Sequence, residues 1–295
     1  MWNLYRAELQ KTVGNKWVVG FLLWIFPVGA LGVLVFVSLL VLAMDNFAQN
    51  LFAAPPLWTD TVIAVWSFPT NTLVQMLLMG LTAVTFAGEY QWGTWKNILP
   101  RHRRPALIGV KFLTLGTLVV FSFVLMSIIV GLGFAVLTRI ADVPYGPTIS
   151  AAVLRQFAGD YALNAALAFI TVLITAVYAA FAAMLMRSMV GGIVVGLGFV
   201  IIEPVTAFLF MPLAAWLESD WLLHIFRFTP TYNVNNISSW VRFDTPTNMS
   251  HFFFEMRNLT PPVDSVAFSL TVLAVWLVVG IGLILVLFQR QDITG

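Results

Sequence analysis

Six long apolar runs constrain this chain more than any other feature of it. In hydrocarbon no water can satisfy backbone N–H and C=O groups, so a run that crosses a bilayer must be a helix of about 20 mostly apolar residues. Residues 18–42, 66–87, 112–137, 161–186, 189–210 and 266–288 meet that requirement. The second run can begin near Val62, with Pro69 close to its start, and the fifth is shorter and carries Glu203-Pro204. Only 9% of the residues are charged, against about 25% in soluble domains, and the mean hydropathy is +0.92. That is too little charge to cover a water-facing globule. The expected fold is an all-α membrane protein with six transmembrane helices. It forms one membrane domain, residues 1–295, because no polar stretch is long enough to bury a core of its own.

Lysine and arginine set the orientation. One side of the membrane holds Arg6, Lys11, Lys16, Lys96, Arg101, Arg103, Arg104, Lys111, Arg187 and Arg290, ten of the fifteen basic residues, while the other five are spread over longer segments. Both termini and the connection between spans two and three are therefore expected on the cytoplasmic side. The first run is too long for a signal-peptide core and reads as a retained span. Ahead of it, in residues 1–17, Trp2, Tyr5, Leu9 and Val13 share one helical face. That pattern suits an N-terminal amphipathic helix lying in the interface.

Between spans five and six, residues 211–265 form the longest segment outside the membrane. Aromatics crowd it, among them Trp216, Trp221, Tyr232, Trp240 and Phe252-Phe253-Phe254, with prolines between them. Such a composition predicts short outer helices packed on the membrane face or on a partner. Asn236, Asn248 and Asn258 sit in glycosylation-type tripeptides, to which no role is assigned.

Enzyme chemistry finds little support. There is no cysteine, hence no disulfide framework, thiolate nucleophile or Cys-ligated metal. His102, His224 and His251 form no HExxH motif or His/Asp/Glu cluster, and no GxSxG elbow occurs. Gly88-Glu-Tyr-Gln-Trp-Gly93-Thr94 imitates the start of a phosphate loop but lacks the Gly-Lys-Ser/Thr that reaches the phosphates. No catalytic residue, metal or cofactor is expected on this chain, and a net charge of +2 gives no reason to expect nucleic acid. Two features stay open at this level. Glu203 lies about 20 Å along the fifth span. It serves either a substrate path, as in an ion-gradient carrier, or, where Pro204 breaks the helix and the chain turns back, it reaches interfacial water or caps a helix N-terminus. Gly192 and Gly196 permit close helix approach, within the chain or between copies.

The cytoplasmic segment 88–111 carries the most information. Its carboxylate Glu89, Gly93-Thr94, Ile98-Leu99-Pro100, the basic cluster 101–104 and Lys111 resemble the corresponding segment of permease subunits in the type-2 ATP-binding-cassette (ABC) exporter family. The closing Phe288-Gln-Arg290-Gln-Asp292-Ile293 and the broken fifth span, similar to re-entrant outer helices of that family, agree with the resemblance. It implies a cytoplasmic coupling helix, residues 89–97, that enters a groove of a separate ATPase. Glu89, Tyr90, Trp92, Gly93, Thr94, Trp95 and Lys96 would make that contact: Glu89 by pairing with the ATPase or capping the helix N-terminus, Gly93 by close approach, Thr94 by a local hydrogen bond, Trp92 and Trp95 as apolar anchors. Arg101, Arg103, Arg104 and Lys111 would anchor to anionic lipid headgroups. The resemblance further implies a prokaryotic plasma-membrane location and two ATPase copies that hold ATP and Mg. A second permease, identical or paralogous, and a hydrophobic or amphipathic cargo such as a drug, lipid or peptide antibiotic complete the expectation. A lipid-modifying enzyme is the remaining alternative.

Overall fold

The computed structural model describes residues 1–16, 19–20, 23–95 and 103–291. Among them no strand occurs, only an isolated bridge between Leu57 and Gly146. The helices in chain order are α1 (Trp2–Gly14), α2 (Ile25–Ala43), α3 (Asp45–Leu51), α4 (Trp58–Ala64), α5 (Thr72–Gln91), α6 (Arg104–Ile140), α7 (Ala151–Met186), α8 (Met189–Trp216), α9 (Pro230–Phe243), α10 (His251–Glu255) and α11 (Val266–Arg290). Among the described residues there are also two 3-10 segments, Val65–Thr70 and Asp220–Phe228.

Helices α2, α5, α6, α7 and α11 are long and apolar enough to cross a membrane, and α8 makes a sixth if its two arms count as one span. The chain is thus an all-helical, multi-pass membrane protein. The arms of α8, Met189–Glu203 and Phe208–Trp216, meet at 58°. Pro204 lies at the junction with no backbone N–H for the preceding turn, a usual cause of a sharp kink.

Three boundaries differ from the sequence expectation. The second span starts at Thr72, because residues 58–70 form α4 and the 3-10 segment around Pro69. Helices α6 and α7 run for 37 and 36 residues, about 55 Å each against roughly 30 Å of hydrocarbon. Hydropathy marks only the stretch that lipid must cover, whereas a helix continues as long as its backbone bonds are met. Residues 89–91, expected to open a coupling helix, are instead the last turn of α5. The rest of that expected helix, from Lys96, lies outside the described residues, as do Arg101, His102 and Asp292-Ile293.

Contacts group the chain into two compact units, to each of which α5, α6 and α7 contribute. The first contains Gln75–Phe112 and Ile170–Gly295. Here α7 and α8 are joined through Arg187, which adopts a left-handed conformation at φ 49°, and Ser188, whose hydroxyl caps α8 by accepting from Gly191 N–H. A Cβ at Gly192 would stand 2.8 Å from the Ala183 Cα, and one at Gly196 3.2 Å from the Ala179 Cα. The small-residue pair thus serves packing within the chain, one turn matching one turn. Ala214 near the end of α8 packs with Leu222, Leu223, Phe226, Tyr232, Phe253 and Phe254 in one buried cluster, so short packed helices are present between α8 and α11.

The second unit contains Trp2–Val74 and Leu113–Phe169. Leu34, Val41, Phe52 and Leu137 form one cluster. A continuous column of rings runs Phe26, Phe123, Trp66, Tyr161, Phe157 and Trp58, with successive centroids 4.8–5.9 Å apart. Helix α1 forms as expected but turns a shifted face inward. Thr12 is buried, Tyr5 donates to Thr117 Oγ1 at 3.2 Å, and Trp2 and Val13 remain exposed.

Candidate functional site

The segment that stood out in the sequence is built around the C-terminal end of α5. Gly93 has φ +63°, a conformation that costs an L-residue roughly 1–2 kcal/mol. Its N–H reaches the Tyr90 carbonyl at 3.4 Å and the Thr94 N–H reaches the Glu89 carbonyl at 3.1 Å. This is a Schellman closure, with glycine at the left-handed position after the helix. Among the described residues a Cβ at Gly93 would meet nothing within 4 Å, so within the chain its backbone angle is what calls for glycine.

Glu89 is placed otherwise than expected. It lies near a helix C-terminus, where it cannot cap a helix start, and its side chain is 1% exposed. Its Oε1 accepts from Lys111 Nζ at 2.7 Å, and the same ammonium donates to the Thr85 carbonyl at 2.7 Å. Lys111 is itself buried and lies 5.6 Å from the centroid of the Trp95 ring and 5.8 Å from that of Phe86. Both side chains are thus enclosed by the chain itself. Their carbonyl and carboxylate contacts tie α5 to α6 in a place where an unpaired charge would be costly.

Three further residues lock α11 to this pair. Trp95, 1% exposed, packs on Phe288 with centroids 4.7 Å apart and edge-on to Tyr90 at 5.7 Å. Arg104 donates to the Phe288 and Gln289 carbonyls at 2.6 and 2.8 Å. A cation there satisfies orphan carbonyls and complements the negative end of the helix dipole. Gln291 accepts from the Tyr90 hydroxyl and donates to the Met184 carbonyl, at 2.9 Å in the second bond, which brings in α7. Arg104 is thus a helix cap, where a lipid anchor was expected. Arg103 remains exposed at the start of α6, its carbonyl accepting from Ala106 and Leu107.

What this joint leaves outward is Trp92, 55% exposed, directly before the turn at Gly93. Thr94 Oγ1 and Trp95 Nε1 are buried with no hydrogen-bond partner among the described residues, so the expected local bond of Thr94 is not made there. Sequence reasoning missed Gln291. The closing Phe288–Asp292 motif contains it, but only the fold shows that it bridges two helices.

The segment between α8 and α11 holds a second polar cluster. Asp264, 3% exposed, receives two bonds from the Arg227 guanidinium, one of them 2.8 Å from Nε, and one of 2.7 Å from the Tyr232 hydroxyl. Its carbonyl accepts from Asn236 and Trp240 at 2.9 and 2.7 Å. The bond to Asp264 raises the Arg227 pKa further, and burial, aided by Asp264, pushes the Tyr232 phenol up. Burial and the Arg227 cation push His224 below its usual value. Asn236 is buried with its amide committed to Asp264 and Ser269, so its tripeptide belongs to the core. Glu203 accepts from the Thr231 N–H in the first turn of α9. Of its two open readings, the geometry displays the cap at a helix N-terminus, where a carboxylate is favoured. Among the described residues no group of His, Asp and Glu suited to a metal occurs.

A comparison with family models gives no match for this chain, and a comparison with curated proteins gives none either.

Proposed function

We propose that this chain is the permease subunit of a type-2 ABC exporter, driven by two copies of a separate ATPase. In this reading a second permease, identical or paralogous, completes the pathway in a prokaryotic plasma membrane, with both termini cytoplasmic. ATP and Mg act on the ATPase, and the chain itself performs no catalysis. The motif resemblance of residues 88–111 brings the reading. The observation that carries it furthest is the joint just described. A push on residues that follow Gly93 reaches Trp95, and through the Glu89–Lys111 pair, Arg104 and Gln291 it is passed to the ends of α5, α6, α7 and α11. Close-packed and hydrogen-bonded contacts transmit such a load where a flexible loop would absorb it.

Within this reading the contact residues change roles. Trp92 is the aromatic anchor for the ATPase groove, since aromatics dominate such contacts. Glu89, Lys111 and Trp95 hold the lever, and Arg103 is the basic side chain left for headgroups or the ATPase. Apolar spans favour hydrophobic or amphipathic cargo.

The test is co-expression with an ABC ATPase encoded beside the gene. The ATPase is expected to co-purify and to be stimulated by the permease. Trp92→Asp should abolish both without lowering the thermal stability of the chain, because Trp92 is exposed. An ATPase that neither co-purifies nor responds, or a Trp92→Asp chain that couples normally, would overturn the proposal.

A further inference from the structure

We infer that the second unit contains a binding site for a single hydrocarbon chain. Between α4, the outer part of α6, residues 145–149 and the start of α7 lies a cavity of about 750 Å³. That volume falls within the roughly 300–1,000 Å³ typical of small-molecule sites.

The walls select the ligand class. Val62, Ile128, Leu132, Leu154 and Phe157 supply aliphatic and aromatic surface. Three of the polar side chains that line the cavity are spent on the backbone of the chain itself. Ser127 donates to the Phe123 carbonyl at 2.9 Å, Tyr145 to the Gly131 carbonyl at 3.2 Å, and Trp58 Nε1 to the Pro147 carbonyl at 2.9 Å. Two further hydroxyls line the cavity, Thr148, which is exposed, and Tyr161, which is half-buried. A ligand with hydrogen-bonding groups deep in the cavity would find no free partner among these three, and would lose its hydration for nothing. A hydrocarbon chain loses nothing there and gains about 0.8 kcal/mol per buried CH2.

The position selects the source. Ile128, Leu132, Ile149 and Leu154 line the cavity and are also exposed, so the opening lies along them. Residues 127–135 lie about 7–20 Å from the end of α6 at 1.5 Å per residue, at the depth of one membrane leaflet. By the proposed orientation this is the outer leaflet. The opening is therefore reached from lipid, and the polar end of a bound amphiphile would emerge near Thr148. The tail can belong to a bilayer phospholipid or to a single-chain amphiphile, both of which offer the same hydrocarbon to the walls. The site needs only a lipid surround and holds whether or not an ATPase drives the chain, so failure here and failure of ATPase co-purification are separate results.

The experiment uses the full chain in nanodiscs of phosphatidylethanolamine and phosphatidylglycerol. Two photoreactive probes are compared, palmitate with a diazirine in its chain and phosphatidylcholine with the same diazirine acyl group. Crosslinks are mapped by mass spectrometry. The expected result is saturable labelling concentrated on residues 127–135 and 145–161, competed by the unlabelled compound. Ala135→Trp, which fills the cavity, should reduce it roughly tenfold, what losing one or two buried methylenes gives. Val278→Trp, on an exposed face of α11, should leave it unchanged. Leu132→Trp, at the exposed opening, provides a second blocking variant should Ala135→Trp fail to fold. Saturable labelling by either probe supports the site and assigns the tail to its source. Labelling that does not saturate, that falls equally on α11, or that survives in every folded blocking variant would overturn it.

Discussion

Removing either partner of the Glu89–Lys111 pair should destabilise the chain far more than removing both together. The two charged atoms are 2.7 Å apart, with 3% and 1% of their side chains exposed. Truncating one member of a buried pair leaves the other charge uncompensated, which costs about 3–5 kcal/mol, whereas an apolar replacement of both is near neutral or better. Glu89→Ala is accordingly expected to lose roughly 3–5 kcal/mol, and Lys111→Ala a similar amount. Lys111 also donates to the Thr85 carbonyl, so Glu89→Gln, which keeps an acceptor in place, should lose clearly less than Glu89→Ala. The pair Glu89→Leu with Lys111→Met should recover most of the loss. The assay is equilibrium unfolding in mixed micelles, run as a double-mutant cycle with ATPase coupling measured on the same samples. A coupling energy below about 0.5 kcal/mol, the scale on which distant sites simply add, would refute the reasoning. So would a double apolar variant no more stable than either single one.

Gly93→Ala should cost about 1 kcal/mol from its left-handed angle while Gly93→Asn costs less; unfolding midpoints that rank the two the other way would contradict the Schellman closure. Gly192→Leu puts a Cβ 2.8 Å from the Ala183 backbone and should destabilise by about 1–3 kcal/mol or more, measured as a lowered thermal midpoint, whereas Gly198→Leu, with open space around it, should not. For His224 the folded-state pKa is lowered by burial and by Arg227, whose Nη1 is 3.1 Å from Nδ1; Asp264 and Asp220 oppose the shift. The unfolded chain then takes up the proton first, so stability is full above pH 6.5 and declines as pH falls from there towards the folded value. Thermal unfolding between pH 7.5 and 5 should show that decline, and His224→Gln should reduce it. Glu203→Gln removes the charge at the start of α9 and should lower stability by roughly 0.3–1 kcal/mol, with increased amide exchange at Thr231 as its local signature.

The helical class and the presence of five or six candidate spans were legible in the sequence because they depend on one local quantity. Twenty apolar residues in lipid have no alternative to the helix, and no partner elsewhere in the chain is needed to decide it. The aromatic content of residues 211–265 likewise announced the short packed helices found there. The ends of helices α6 and α7 were not legible, since hydropathy falls silent where a helix leaves hydrocarbon. The residues of segment 88–111 were found, yet several roles assigned to them were not the ones they hold. Glu89 looked available because its partner is twenty-two positions away, and nothing local says that α5 and α6 bring the two together.

By itself the sequence determined that this is a helical chain for lipid, that several of its helices can cross, and where its unusual polar segment lies. Tertiary structure alone decided that Glu89 faces Lys111, that Arg104 caps α11, that Gln291 joins α5 to α7, and that Glu203 caps α9. The physical reason is range. Burial in lipid acts on each stretch of backbone separately, whereas the partner of a buried charge or an orphan carbonyl is chosen by whatever the packed helices bring within about 3 Å.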